Sequence, residues 1–219
     1  MTKNDLKFQE SLQKARAHFE KQEYKNAQLM YFQALNLTSN QEDKAIIWAE
    51  VSWVYYYEKD YQKAIEAAEN VLINNNAYQA LDDLYRVQGY SYLGLSNMTL
   101  AERFLQLSLA NNSTDEKQQY VKYELGKLHF IKGSYDLAHP FFTEIVEFFE
   151  QANQEYKLSI WFYLGFISYY LNTLFRCWCS FFHHFFITLF SFKYFFHLLT
   201  SITFEKATLL VAILTRKIA

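Results

Sequence analysis

Apolar residues in the first part of the chain recur every three or four positions, in runs separated by short polar breaks. One run contains Trp48, Val51 and Tyr55, and the next begins at Tyr61 and includes Ala64. This spacing places the apolar side chains on one face of an α-helix. Because the break is too short for a long connection, the pattern predicts two antiparallel helices joined by a tight turn.

Pairs of small residues twelve positions apart show that this helix pair is a repeating unit. The first members follow one another at intervals of 37, 37, 37 and 39 residues, a regularity typical of helical repeat proteins. Small side chains let two crossing helices approach closely, so packing explains the size at these positions. The pairs are Ala15 with Ala27, Ser52 with Ala64, Gly89 with Ala101, Gly126 with Ala138, and Gly165 with Cys177.

Two segments carry a motif of an aromatic residue, a small residue, a tyrosine and an alanine. They are 48–72, WAEVSWVYYYEKDYQKAIEAAENVL, and 123–146, YELGKLHFIKGSYDLAHPFFTEIV. The motif resembles that of the tetratricopeptide repeat (TPR) family, although the spacing between units is longer than the family's usual 34 residues. Further matches in the same register are Tyr24, Ala27, Tyr31 and Ala34 in the first unit, and Gly89, Tyr92, Ala101 and Leu105 in the third.

The resemblance implies an all-α fold, a right-handed superhelix of antiparallel helix pairs (an alpha-alpha superhelix, or TPR-like solenoid). We expect helix pairs at about 5–37, 42–73, 78–111 and 115–151, and a fifth first helix at about 154–171. Residues 1–172 would then form four full repeats plus the first helix of a fifth. The single proline, Pro140, is expected near the start of a helix, where the first amides lack acceptors anyway.

The resemblance also implies a function, that of a protein interaction scaffold that binds a peptide or protein in its concave groove. In this family the first helix of each pair lines the groove. Aromatic and arginine side chains on that face are typical of binding hot spots. The candidate groove residues are Arg16, Phe19, Trp53, Tyr56, Tyr57, Arg86, Tyr90, Tyr123, Lys127, Phe130, Phe162, Phe166 and Tyr169.

A subgroup of the family holds the carboxylate of a chaperone's carboxyl terminus with lysine, asparagine and arginine side chains. The matching positions here are Leu12 and Arg16 in the first unit, Glu50 in the second, and Asp83 and Val87 in the third. This carboxylate clamp is therefore absent, and we do not expect that ligand.

Residues 173–219 differ in composition from the preceding array. The 27 Asn and Gln residues all precede them, and their five basic residues against Glu205 alone give +4, against −6 for the array. Three interpretations stay open: an aromatic-rich helical cap on the array, a membrane-surface or tail anchor that would make the protein a membrane-tethered assembly factor, and a frame-shifted tail that truncates a longer TPR protein. Only sixteen uncharged residues separate Arg176 from Lys193, which is short for a membrane-spanning helix.

The remaining chemistry of the chain argues against catalysis. There is no glycine-rich phosphate loop, nucleophile elbow or His-Glu metal motif, so we expect neither an enzyme nor a cofactor. Cys177, Cys179, His183 and His184 lie close together, but their spacing does not match a structural zinc site. His18 and His129 occupy positions that are usually aromatic in the family, and we expect them to be packing or boundary residues.

Charge and terminal sequence limit the partners and the location. A net charge of −2 provides no basic face for nucleic acid, and nothing in the sequence suggests a small-molecule substrate. The first residues, MTKNDLKFQE, do not resemble a secretory or transit signal. We therefore expect a cytoplasmic protein, or a membrane-associated one if residues 173–219 act as an anchor.

Overall fold

A computed structural model describes residues 3–75, 77–111, 115–152 and 154–171 of the chain. The predicted cap or anchor at 173–219, the group of Cys177, Cys179, His183 and His184, and the pairing of Gly165 with Cys177 all lie outside the described residues.

The described residues form nine α-helices and no strand, which confirms the all-α prediction. Each predicted helix is present, and its bounds agree with the sequence pattern to within a few residues. The helices are α1 (Lys3–Glu20), α2 (Tyr24–Leu37), α3 (Gln41–Tyr57), α4 (Tyr61–Asn74), α5 (Leu81–Gly94), α6 (Met98–Ala110), α7 (Asp115–Ile131), α8 (Tyr135–Ala152) and α9 (Gln154–Tyr170).

The chain divides into two compact units, the first from Met1 to Leu128 and the second beginning at His129. In the first unit, α1 packs on α2, α3 on α4 and α5 on α6, and α2–α3 and α4–α5 contacts join neighbouring pairs. One apolar core lies among α1, α2 and α3, around Phe8, Tyr31 and Val51. A second lies among α3, α4 and α5, around Val71 and Leu84.

In the second unit, α8 packs on α9. The core between these two helices is mainly aromatic. Phe142 stacks on Tyr163 with ring centroids 4.7 Å apart, and Phe149 stacks on Tyr156 at 4.8 Å. Ile160 adds an aliphatic side chain that is fully buried.

The small residues of the first four repeat pairs are buried in the structure. Gly89 shows why they must be small, because a Cβ atom added there would lie 2.8 Å from the side chain of Leu105 on α6. That distance is well inside van der Waals contact. The twelve-residue spacing therefore places one small residue from each helix where the pair crosses.

The turn between the two helices of a pair has the same geometry in all four full repeats. Gln22, Lys59, Ser96 and Gly133 follow one another at intervals of 37 residues and have φ angles of 61°, 64°, 60° and 75°. Around Lys59, the Lys59 amide donates to the Tyr56 carbonyl at 3.0 Å and the Asp60 amide to the Tyr55 carbonyl at 2.9 Å. These two bonds define a Schellman motif, which favours glycine at the left-handed position.

The residue after the left-handed position begins the second helix, and its carbonyl oxygen accepts from the alanine amide four residues later. Asp60 accepts from Ala64 at 3.0 Å, and Asn97 accepts from Ala101 at 3.0 Å. The side chains of Asp60 and Asn97 also accept from backbone amides of the first turn, as helix N-caps do. The turn thereby fixes where the small alanine falls on the second helix.

Helix α8 begins close to the expected Ser134, but the expectation that residue 140 falls among the amides without acceptors is wrong. Helix α8 begins at Tyr135, so Pro140 lies beyond the first turn, at a position whose amide would normally donate to a carbonyl one turn earlier. Pro140 is exposed. The helix continues through it to Ala152.

The two array histidines differ in their surroundings. His129 is buried and stacks on Phe141, with ring centroids 5.6 Å apart and planes 9° apart, as a packing residue would. His18 lies near the end of α1, and its Nδ1 atom is 2.6 Å from the Glu23 carboxylate. His18 is therefore a boundary residue at the turn between α1 and α2.

Among the described residues, no helix is both long enough and apolar enough to cross a lipid bilayer.

The left-handed turn position predicts how adding or removing a glycine there changes the free energy of unfolding. We expect Lys59→Gly to raise the free energy of unfolding by about 0.5–1 kcal/mol, because glycine adopts positive φ without a steric penalty. Gly133→Ala should lower it by a similar amount. Urea denaturation followed by circular dichroism measures both. As a control, Glu69→Gly inside α4 should destabilise by about 1 kcal/mol, and a destabilising Lys59→Gly would contradict the turn geometry.

The crossing geometry predicts opposite effects for two glycine-to-alanine substitutions. Gly89→Ala should lower the free energy of unfolding by about 1–2 kcal/mol, because the new methyl group overlaps Leu105. Gly165→Ala should raise it by up to about 1 kcal/mol through helix propensity, because no described atom lies within 4 Å of its added Cβ. The same denaturation experiment compares them. A destabilising Gly165→Ala would instead mean that residues beyond 171 pack against α9, as the cap interpretation requires.

Candidate functional site

The candidate groove residues lie on the five first helices of the repeats, as the sequence predicts. Most are partly exposed, and Tyr57 is 47% exposed. Tyr123 differs, because it is only 7% exposed and has little surface to offer a ligand. The set comprises Arg16 and Phe19 on α1; Trp53, Tyr56 and Tyr57 on α3; Arg86 and Tyr90 on α5; Tyr123, Lys127 and Phe130 on α7; and Phe162, Phe166 and Tyr169 on α9. Their role in binding stays a prediction.

In the first unit, six aromatic side chains from four helices form a continuous cluster, which we call the aromatic belt. Five of them belong to the predicted groove set, and the sixth, Tyr24, is the first residue of α2. None of the six is buried. The aromatic belt consists of Phe19, Tyr24, Trp53, Tyr56, Tyr57 and Tyr90.

One end of the belt is a three-ring contact between α1, α2 and α3. Tyr24 and Tyr57 are nearly parallel, with ring centroids 5.5 Å apart and planes 6° apart. Phe19 meets both edge-on, at 5.8 Å from Tyr24 and 5.6 Å from Tyr57. These are favourable aromatic geometries, which hold the exposed Tyr57 in a defined orientation.

The belt continues from Tyr57 across α3 to α5. The ring centroid of Trp53 lies 6.1 Å from that of Tyr57 and 6.2 Å from that of Tyr90. The ring centroid of Tyr56 lies 5.3 Å from that of Tyr57 and 5.9 Å from that of Tyr90. Aromatic side chains have few rotatable bonds, and here each ring is also held by its neighbours. The belt is therefore a largely preformed surface.

A related three-ring arrangement is found in the second unit. Phe130, Tyr135 and Tyr170 occupy positions in the fourth and fifth repeats that correspond to Phe19, Tyr24 and Tyr57. Phe130 meets Tyr135 edge-on at 5.3 Å, and Tyr135 lies 4.4 Å from Tyr170. Of the predicted groove residues, Phe130 and Phe166 also contact each other at 5.1 Å.

Beside the belt, an ion pair joins the first helices of repeats one and two. Arg16 on α1 donates to Glu50 on α3, from Nε to both carboxylate oxygens at 3.1 Å and from Nη2 to Oε1 at 2.6 Å. The hydrogen bond to Glu50 raises the pKa of the Arg16 guanidinium. Burial, and then the nearby Glu50 carboxylate, raises the pKa of the Tyr31 hydroxyl, which also hydrogen-bonds to Glu50.

A second set of polar contacts centres on Asp83 of α5. The Trp53 Nε1 atom donates to Asp83 Oδ2 at 3.0 Å, Arg86 donates to Oδ1, and Lys117 Nζ lies 3.4 Å from Oδ1. The Arg86 guanidinium also lies 4.9 Å from the centroid of the Trp53 ring, within cation–π distance. Asp83 therefore fixes Trp53 and links α3, α5 and α7.

The cationic side chains of this face are thus paired with carboxylates of the same chain. Lys127 is paired in the same way. Its Nζ atom lies 2.9 Å from the Oε2 atom of Glu124 and 5.2 Å from the centroid of the Tyr123 ring. Glu50 and Asp83 occupy positions where the family's carboxylate clamp would have other side chains, and both bind cations of neighbouring first helices. The face presents aromatic rings beside internally paired charges.

No group of three or more His, Cys, Asp or Glu side chains that could hold a metal ion occurs in the described part of the chain.

The sequence pattern does not by itself place Tyr24, Glu50 or Asp83 on this face. Tyr24 matches the repeat motif, and the two acids stand at positions where the carboxylate clamp is not matched. A usable signal was present, because Arg16–Glu50 and Asp83–Lys117 are both pairs of opposite charge 34 residues apart. In an array whose period is close to that separation, such pairs fall on adjacent first helices.

The Asp83 contacts predict a measurable contribution to stability. Asp83→Asn keeps the shape but removes the charge that neutralises Arg86, whose side chain is only 17% exposed. We expect the free energy of unfolding to fall by about 1–2 kcal/mol. Glu10→Gln is the control, because Glu10 and Lys14 form an exposed pair within α1, and its loss should have no measurable effect. Equal stability of the two variants would contradict the role of Asp83.

No protein-family model matches the sequence, and the search of curated proteins gives no match. Solved structures do match. YrrB, described as a TPR protein with an unusual peptide-binding site, is 20% identical with a TM-score of 0.55, over 74% of this chain and 76% of that one. MamA from Desulfovibrio magneticus RS-1 is 20% identical with a TM-score of 0.55, over 69% and 80%. The TPR-like repeats of a Podosopora anserina protein are 14% identical with a TM-score of 0.58, over 79% and 90%.

Identities this low establish the fold alone. The all-α architecture of helix pairs agrees with these structures, and the likeness confirms the resemblance inferred from the sequence at the level of the fold. The chain is therefore a helical solenoid of the tetratricopeptide repeat type.

Proposed function

We propose that the chain is a non-enzymatic protein interaction module, and that the aromatic belt is the surface on which it binds a peptide segment of a partner protein. The observation that supports this most directly is the belt itself. Tyr57 is 47% exposed and contacts rings from α1, α2 and its own helix α3. Large aromatic side chains held in place lose little entropy when a ligand binds, which is why such residues dominate binding energy.

The fold supports the same proposal. Repeated helix pairs present successive first helices side by side, so that one extended surface can contact a ligand at several repeats. The similar structure of YrrB is described as having a peptide-binding site. The side chains of the described residues suggest binding and not group transfer, because the charged groups beside the belt pair with one another.

A peptide-library selection tests the proposal. The full chain would be immobilised, peptides displayed on phage selected against it, and a synthetic peptide from the selection measured by isothermal titration calorimetry. We expect Tyr57→Ala to weaken binding at least ~10-fold, because it removes the most exposed ring of the belt. Circular dichroism would confirm that the variant is folded.

Leu29→Ala is the matched control. Leu29 is 64% exposed, lies on α2 and is not one of the belt residues, so its removal should leave the affinity unchanged. If Leu29→Ala weakens binding and Tyr57→Ala does not, the belt is not the binding surface.

A further inference from the structure

The charges beside the aromatic belt limit the kind of ligand that it can take. Arg16 makes three contacts to the carboxylate of Glu50, and Arg86 and Lys117 share Asp83. An anionic ligand would have to compete with carboxylates that are already held in place, and it would be repelled by them. The paired charges therefore favour an uncharged ligand over an acidic one.

The chemistry of the rings limits the ligand further. Four of the six belt members are tyrosines, which present flat apolar faces, and the hydroxyl group of the most exposed one, Tyr57, can donate a hydrogen bond to a ligand. The indole nitrogen of Trp53 already donates to Asp83. A ligand that suits the tyrosines has flat apolar side chains and backbone carbonyls that need donors.

A polyproline II segment has these properties. Proline lacks an amide hydrogen, so a proline-rich backbone offers carbonyl acceptors with few donors, and the helix makes no internal hydrogen bonds. Its rigid rings stack well on aromatic side chains, and its preformed shape reduces the entropy lost on binding. An amphipathic helix fits less well, because its backbone groups are satisfied internally and its usual groove contains flexible aliphatic or methionine side chains.

The dimensions of the belt agree with a short peptide of this kind. Successive rings from Tyr24 through Tyr57 and Trp53 to Tyr90 lie 5.5, 6.1 and 6.2 Å apart. A polyproline II helix advances about 3 Å per residue. At most about six residues of such a peptide would therefore span the belt from Tyr24 to Tyr90.

We propose that the aromatic belt binds an uncharged, proline-rich peptide segment in the polyproline II conformation, with pyrrolidine rings against Tyr57 and Tyr56 and the Tyr57 hydroxyl donating to a peptide carbonyl. The proposal rests on the proposed function and adds the ligand class. The polar contacts of Glu50 and Asp83 serve to hold the first helices together and to keep acidic peptides from the belt.

Fluorescence anisotropy with the full chain tests this ligand class. The probe is a fluorescein-labelled oligoproline of about ten residues, long enough to span the belt. Two labelled peptides of equal length serve for comparison, one alanine-rich and helical, the other acidic with a free carboxyl terminus. We expect the oligoproline to bind at least ~10-fold more tightly than either of them.

Three variants locate the binding. Tyr57→Ala should weaken oligoproline binding at least ~10-fold, and Tyr57→Phe, which removes only the hydroxyl, about 3-fold. Leu29→Ala should have no effect. Thermal unfolding of each variant, compared with the unchanged chain, separates a lost contact from a lost fold.

The outcomes also separate this inference from the broader proposal. Tighter binding of the helical or acidic peptide, with loss of that binding in Tyr57→Ala, overturns the proline-rich ligand but keeps the belt as an interaction surface. Absence of oligoproline binding, or binding that Tyr57→Ala leaves unchanged, also overturns the inference. In that case, the broader proposal that the belt is an interaction surface is tested separately, by the binding of the peptides from the library selection.

Discussion

The close crossing of two helices at a pair of small side chains is the constraint on which the rest of the structure depends. The crossing requires a residue such as Gly89 on the first helix and one such as Ala101 on the second, because a larger side chain at Gly89 would overlap Leu105. The Schellman turn keeps these two positions in register by fixing the number of residues between them. Hydrophobic burial on either side of the crossing then joins one pair to the next.

The same regularity builds the candidate site. Because the repeat length is nearly constant, residues one period apart occupy the same face of successive first helices. Phe19 and Tyr56 are one 37-residue period apart, as are Trp53 and Tyr90, and Tyr24 is added to the belt from the start of α2. The Arg16–Glu50 contact joins α1 to α3, and the Asp83–Lys117 contact joins α5 to α7. The packing that stabilises the array thus also orders its aromatic surface, and no separate binding domain is needed.

The sequence predicts the helices and their pairing well, because periodicity and small-residue spacing report directly on which face of each helix is buried. It does not predict how much of a side chain stays exposed. Tyr123 and Tyr57 both fit the first-helix pattern, yet only Tyr57 retains substantial surface. Ring-to-ring contacts such as Tyr24 with Tyr57 depend on the relative placement of neighbouring pairs. The sequence locates the start of α8 near Ser134, but it does not show that the helix continues through Pro140 beyond its first turn.

Amide hydrogen exchange of the full chain, with and without a bound peptide from the library selection, tests the central claim most directly. The claim is that partners bind where the carboxyl-terminal ends of α1, α3 and α5 carry the aromatic belt. Added protection in those helix ends, with α2, α4 and α6 unchanged beyond their first turns, is the predicted result. Protection confined to the second helices, with the ends of the first helices unaffected, would contradict it.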